Sequence, residues 1–117
     1  MRLEVTNLVK KFKNTFAVND ISFIIEKNKT LGLLGPNGCG KTTSIGMMLG
    51  LITPSSGQIY IDGAPLEPKN RINLLSMMNF ASPYIELPKK LTVEQNLEVY
   101  ARLYGVHKIK ERIEEMT

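Results

Sequence analysis

The residues with the clearest chemical potential lie in one run, Gly35-Pro36-Asn37-Gly38-Cys39-Gly40-Lys41-Thr42. The run satisfies G-x-x-x-x-G-K-[ST] at every fixed position. Phosphate oxygens need several backbone N–H donors converging on one point, and side chains would obstruct that approach. Glycine supplies positive-φ conformations and leaves room for the anion. A helix opening at Lys41 would add unpaired N–H groups and the positive end of its dipole. The Lys41 ammonium could then reach β- and γ-phosphates, and the Thr42 hydroxyl is suited to Mg²⁺. The expected chemistry is phosphate binding. The same pattern also arises by chance in glycine-rich turns, so its surroundings must decide.

Those surroundings are a buried strand before the loop and a helix after it. "TLGLLG" (Thr30 to Gly35) is short and apolar and reads as the strand. Lys41 to Leu51 reads as the helix, with Ile45, Met48, Leu49 and Ile52 spaced to cover one face. Upstream, "LEVTNLVKKF" (Leu3 to Phe12) and "AVNDISFIIE" (Ala17 to Glu26) carry the β-branched and aromatic residues of strands. The intervening "KNT" reads as a turn, so an antiparallel hairpin is expected. "TPSSG" (Thr53 to Gly57) ends the helix, "QIYIDG" (Gln58 to Gly63) reads as another strand, and "APLEPKN" as a loop. From Arg71 the chain is apolar and then turn-rich, with Pro83 and Pro88. Thr92 and Gln95 have capping-box spacing, opening a helix to about Tyr104 that Gly105 would stop. Val93, Leu97, Tyr100 and Tyr104 are its expected buried side, and "KIKERIEEMT" starts a charged amphipathic helix.

Composition narrows the function classes. The chain has 117 residues, 43% of them hydrophobic and 22% charged, which suits one folded domain rather than a disordered tract. No apolar run approaches the ~20 residues that span a bilayer. The N-terminus lacks the apolar core of a signal peptide, and the lone Cys39 precludes an internal disulfide, which together suggest a cytoplasmic product. The net charge of +4 is spread among fifteen basic and eleven acidic residues without interleaved aromatics. That pattern reads as a solvated surface, and nucleic acid is not an expected partner.

"LGLLGPNGCGKTTSIGMMLGLITPSSGQIYIDG" resembles the first half of the ATP-binding subunit of ATP-binding-cassette (ABC) transporters. The likeness extends from "LEVTNLVKKF" through "LTVEQNLEVYARLYGV", whose wording is most like bacterial exporter cassettes. It implies an α/β P-loop NTPase fold, with an antiparallel β subdomain and part of the nucleotide-binding core over about 1–80. Residues about 81–117 would then form a coupling loop and the start of a helical subdomain. It also implies ATP and Mg²⁺ as ligands, held by residues 35–42 and Thr43, with Thr42 on the metal. Phe12 sits where the family stacks an aromatic on adenine, a place more often held by Tyr. Phe12 equally suits an ordinary strand position. Val18 sits where a small apolar residue packs on base or ribose. A second ATP-binding subunit and an integral membrane permease are the implied partners, with attachment to the inner face of the cell membrane through the permease.

The sequence also departs from the family. Matching "NFASPY" to the usual phenylalanine-glutamine-serine wording puts Ala81 where a Mg²⁺-sensing glutamine belongs, and Asn79 or Ser82 would have to substitute. "PSSGQ" (Pro54 to Gln58) imitates the "LSGGQ" signature but precedes a strand, in the wrong place. His107 reads as a surface residue and not as the switch histidine. The signature, the acidic strand end with its catalytic glutamate, and the switch histidine are not among these residues. These 117 residues are therefore expected to bind nucleotide and to hydrolyse little or none alone. Cys39, inside the loop, reads either as a small residue that fits or as a thiol whose alkylation blocks binding. The rival readings are a cassette with a soluble task and a nucleotide-binding remnant without activity. A small-molecule kinase or GTPase stands further off.

Overall fold

The structure, a computed structural model, describes residues 1–36, 38–82 and 86–117. Expectations for Asn37 and Pro83 thus lie outside the described residues. The chain forms two compact units, Met1–Asn79 and Phe80–Thr117.

In the first unit, β1 (Leu3–Phe12) and β2 (Thr15–Ile25) form the expected antiparallel hairpin around a turn at Lys13-Asn14. β3 (Ser56–Ile61) pairs antiparallel on the other side of β1, with Leu3 opposite Ile61 and Val5 opposite Ile59. The two-residue β4 (Ala64–Pro65) completes a sheet of order β2-β1-β3-β4. Period-two alternation explains its inner face: Leu3, Val5, Leu8, Ile59 and Ile61 are buried together with Val18. Met47 and Met48 of α1 (Lys41–Met48) close the core over them. Burying a side chain as fully as Leu8 or Ile61 contributes about 1.5–3 kcal/mol.

The ladder is interrupted at Asn7, whose φ is +45°. Its N–H donates to Ser22 Oγ at 2.8 Å and its side-chain amide to Asp20 Oδ1 at 2.9 Å. Gly57 crosses this irregularity with φ of +87°, and a Cβ there would lie 2.2 Å from the Asn7 carbonyl oxygen. Only glycine tolerates that approach. The glycine of "PSSGQ" therefore serves the sheet.

The structure corrects three expectations for this unit. Residues 30–35 form no strand, and Leu34 is 94% exposed. A strand requires a hydrogen-bonding neighbour, and among the described residues the sheet provides none to this segment. Next, α1 ends at Met48 rather than Leu51, and it buries Ser44, Gly46, Met47 and Met48. Ile45 and Ile52 are only half-buried beside the core. The cause is Gly50, whose φ of +70° turns the chain back just after the helix: its N–H donates to the Met47 carbonyl at 3.0 Å and that of Leu51 to the Gly46 carbonyl at 2.9 Å. Ile52 then packs over Gly46, on a spot where a Cβ would meet it at 2.7 Å. Finally, "APLEPKN" contains β4 and leads into a one-turn helix, α2 (Arg71–Leu75), that periodicity had not indicated. Asn70 organises the approach, accepting from Glu67 N–H at 2.9 Å and donating to the Pro65 carbonyl at 2.8 Å.

In the second unit, α3 (Val93–Leu103) begins at the expected capping box. Gln95 N–H donates to Thr92 Oγ1 at 3.1 Å, and Thr92 N–H donates back to Gln95 Oε1 at 2.9 Å. Tyr104 and Gly105 end α3, and α4 (Ile109–Met116) follows. The expected buried side is corrected. Val93 is 71% exposed, and the buried residue of α3 is Asn96. Its amide donates to the carbonyls of Pro88 and Thr92 at 3.2 and 3.1 Å, tying the entry segment to the helix. Leu97, Tyr100 and Tyr104 instead line an apolar groove of about 280 Å³ with Ile109, Ile113 and Met116 of α4.

Candidate functional site

The glycine loop enters α1 through Gly40, its N-cap, which has φ of +98° and provides no side-chain cap. The first intrahelical bond runs from Ser44 N–H to the Gly40 carbonyl at 2.8 Å. The first turn carries no acidic residue. Its N–H groups and its positive dipole end are therefore unopposed by a built-in anion. Before it, Cys39 N–H donates to the Pro36 carbonyl at 3.2 Å and folds the loop into a turn. The Lys41 ammonium reaches across that turn and donates to the Gly35 carbonyl.

The loop is seated directly on β2. A Cβ on Gly40 would lie 2.2 Å from the Ala17 carbonyl oxygen and 3.2 Å from Val18 Cγ2. By contrast, among the described residues other than its chain neighbours, nothing lies within 4 Å of a Cβ built on Gly38. A cleft of about 400 Å³ runs between loop and strand, lined among others by Phe16, Val18, Leu33, Cys39, Lys41 and Ser44. These features suit a phosphate group: a glycine turn, uncapped N–H donors and an ammonium beside them.

The sequence-derived residues fall as follows. Gly35, Pro36, Gly38, Cys39, Gly40, Lys41, Thr42 and Thr43 follow one another through the turn and the first turn of α1, with Thr42 exposed and Thr43 half-buried. Cys39 is an exposed free thiol whose Sγ would meet a Cβ on Gly35 at 2.5 Å. Val18 is buried and lines the cleft. Phe12 is not among the residues lining it. It lies half-exposed at the end of β1, with Lys10 Nζ 5.0 Å from its ring centroid. Lys10 is also bound to the Thr53 carbonyl at 2.8 Å. Ala81 is exposed in an irregular segment, and His107 is exposed between α3 and α4. Among the described residues, no group of three or more His, Cys, Asp or Glu could hold a metal. Phe16 was missed. It stands two residues before Val18, but the ladder shifts register between them, with Lys10 opposite Val18 and Lys11 opposite Phe16, so simple alternation does not place it.

The profile of the family described as "ABC transporter" matches residues 18–117. The chain is 41% identical over 114 residues to the ABC transporter ATP-binding protein NatA of Bacillus subtilis, covering 92% of this chain and 44% of NatA. It is 39% identical over 109 residues to the lipopolysaccharide export system ATP-binding protein LptB of Haemophilus influenzae, covering 92% of this chain and 43% of LptB. The chain thus spans less than half the length of these relatives. Among solved structures, a putative ABC transporter ATP-binding protein from Pyrococcus furiosus superposes with a TM-score of 0.80 at 30% identity, over 98% of this chain and 55% of that one. An ATP-binding subunit of an ABC transporter superposes with a TM-score of 0.79 at 28% identity, over 92% of this chain and 45% of that one. The antiparallel sheet, the glycine loop and the helices after it are those of a cassette, and the chain belongs to the ABC transporter family, as part of its ATP-binding domain.

Proposed function

We propose that this chain binds ATP through residues 35–43 as part of the ATPase subunit that powers an ABC transporter. The observation that carries this is the uncapped N-terminus of α1, presented by a glycine turn seated on β2 with Lys41 beside it. Backbone N–H groups of the loop take the phosphates, and Lys41 leaves the Gly35 carbonyl to pair with the terminal ones. Thr42 would hold Mg²⁺, which would neutralise phosphate charge. Val18 supports the sugar or base, and Phe12 is the aromatic assigned to stack on adenine.

Phosphoryl transfer requires charge stabilisation and a positioned water on both sides of the γ-phosphate. The loop supplies one side. We assign the other to a second ATP-binding subunit and to further parts of the cassette, so that these residues alone hydrolyse little. Ala81 offers a methyl group, which neither coordinates a metal nor orients water. An integral membrane permease is the proposed partner, holding the subunit at the cytoplasmic face. Among the described residues, no helix is long and apolar enough to cross a membrane.

Titrating the labelled chain with Mg-ATP in an amide NMR experiment tests the reading. Saturable shifts at residues 35–44 are expected, and Lys41→Ala should weaken binding at least tenfold, about 1.4 kcal/mol. Absence of saturable binding by the unsubstituted chain would overturn it.

A further inference from the structure

We propose that the Ser44 hydroxyl binds a ribose hydroxyl of the nucleotide, so that the cleft selects ribose over a sugar lacking its hydroxyls. This inference rests on the ATP-binding reading and adds a specificity residue to it. Ser44 is only 3% exposed, yet it lines the cleft between the glycine loop and β2. A serine inside a helix can turn its hydroxyl back to the carbonyl four residues earlier. Here the Gly40 carbonyl accepts from the Ser44 N–H at 2.8 Å and takes no bond from the hydroxyl. Among the described residues that hydroxyl has no hydrogen-bond partner, and it is not sealed from the cleft. A polar group in so buried a residue is costly unless a ligand or water completes it.

Position decides which part of the ligand Ser44 meets. Lys41 and Ser44 stand three residues apart on one side of α1, both lining the cleft, with Lys41 nearer the loop. The ammonium and the uncapped N–H groups are at the Lys41 end, which suits charge. At Ser44 the helix's own hydrogen bonding has begun, so its N–H is already committed. Val18 and Leu33, which line the same cleft, are apolar and belong to the core or pack on it. A phosphate there would lose water without gaining N–H donors, whereas an uncharged hydroxyl needs a single partner. The phosphates therefore follow the loop, and the sugar reaches Ser44 beside Val18. A sugar without hydroxyls would leave Ser44 unpaired, and that penalty discriminates between the two ligands.

The test separates sugar from phosphate. The chain and its Ser44→Ala variant are titrated by amide NMR with Mg-ATP, with Mg-2′,3′-dideoxy-ATP and with inorganic tripolyphosphate. The spectra also report whether the variant is folded. The unsubstituted chain should bind ATP about tenfold more tightly than the dideoxy analogue. Ser44→Ala should bind the two nucleotides alike and keep its affinity for tripolyphosphate. Equal binding of ATP and the analogue by the unsubstituted chain overturns the sugar contact alone, whatever the variant does, and leaves ATP binding intact. A folded Ser44→Ala that still prefers ATP also overturns it, as does one that loses tripolyphosphate as much as ATP. If the unsubstituted chain binds none of the three, the ATP-binding reading falls and the sugar contact with it.

Discussion

Gly40 is the residue on which the candidate site depends most closely. Its φ of +98° and its position under the Ala17 carbonyl leave no space for a side chain. Gly38 shares the positive φ, at +85°, but a Cβ there would meet no described residue beyond its chain neighbours within 4 Å. The two therefore separate conformational strain from steric obstruction. Gly38→Ala should cost about 1 kcal/mol of stability through the left-handed backbone alone. Gly40→Ala should cost about 3 kcal/mol, because the loop must also lift off β2. Urea denaturation of both variants checks this, and equal costs would show that the seat on Ala17 is unimportant. The pattern of glycines, lysine and threonine was legible because phosphate chemistry constrains neighbours in sequence. Gly57 was not, since its purpose depends on Asn7, which lies on a different strand.

Among the elements, those that satisfy themselves locally were read well. The hairpin carries its own pairing partner and turn, and α3 carries its own capping box. Residues 30–35 show the converse. Their apolar character predicts burial, but a strand is defined by neighbours that local sequence does not contain. The short α2 also left no readable period, being barely more than one turn. At this scale the capping box provides a test. Thr92→Ala removes the acceptor for Gln95 N–H and should cost α3 about 1 kcal/mol, seen as faster amide exchange in its first turns. Thr92→Ser should restore protection. If Thr92→Ala exchanges as slowly as the unsubstituted chain, then Asn96 and its carbonyl partners hold the helix start instead.

For the molecule as a whole, the balance between buried and exposed apolar groups matters most. Among the described residues, the core of eight buried side chains lies in the first unit, while Leu31, Leu34, Leu51 and Ile72 of that unit remain exposed. Large exposed apolar groups promote association. The chain is expected to self-associate with rising concentration in sedimentation velocity, and Leu34→Lys to shift it toward monomer; a monomer at all concentrations would contradict this. The sheet order has a different consequence, for the time course of folding. β1 forms one ladder with its immediate successor and another with β3, whose Ile61 meets Leu3 only after the glycine loop and α1 have been traversed. Closing that second ladder carries the larger loop entropy, so the hairpin should form early and the circuit enclosing the loop late. Interactions made after the transition state act mainly on the unfolding rate. A nucleotide gripping that late-closing circuit would accordingly prolong the life of the folded chain without hastening its formation.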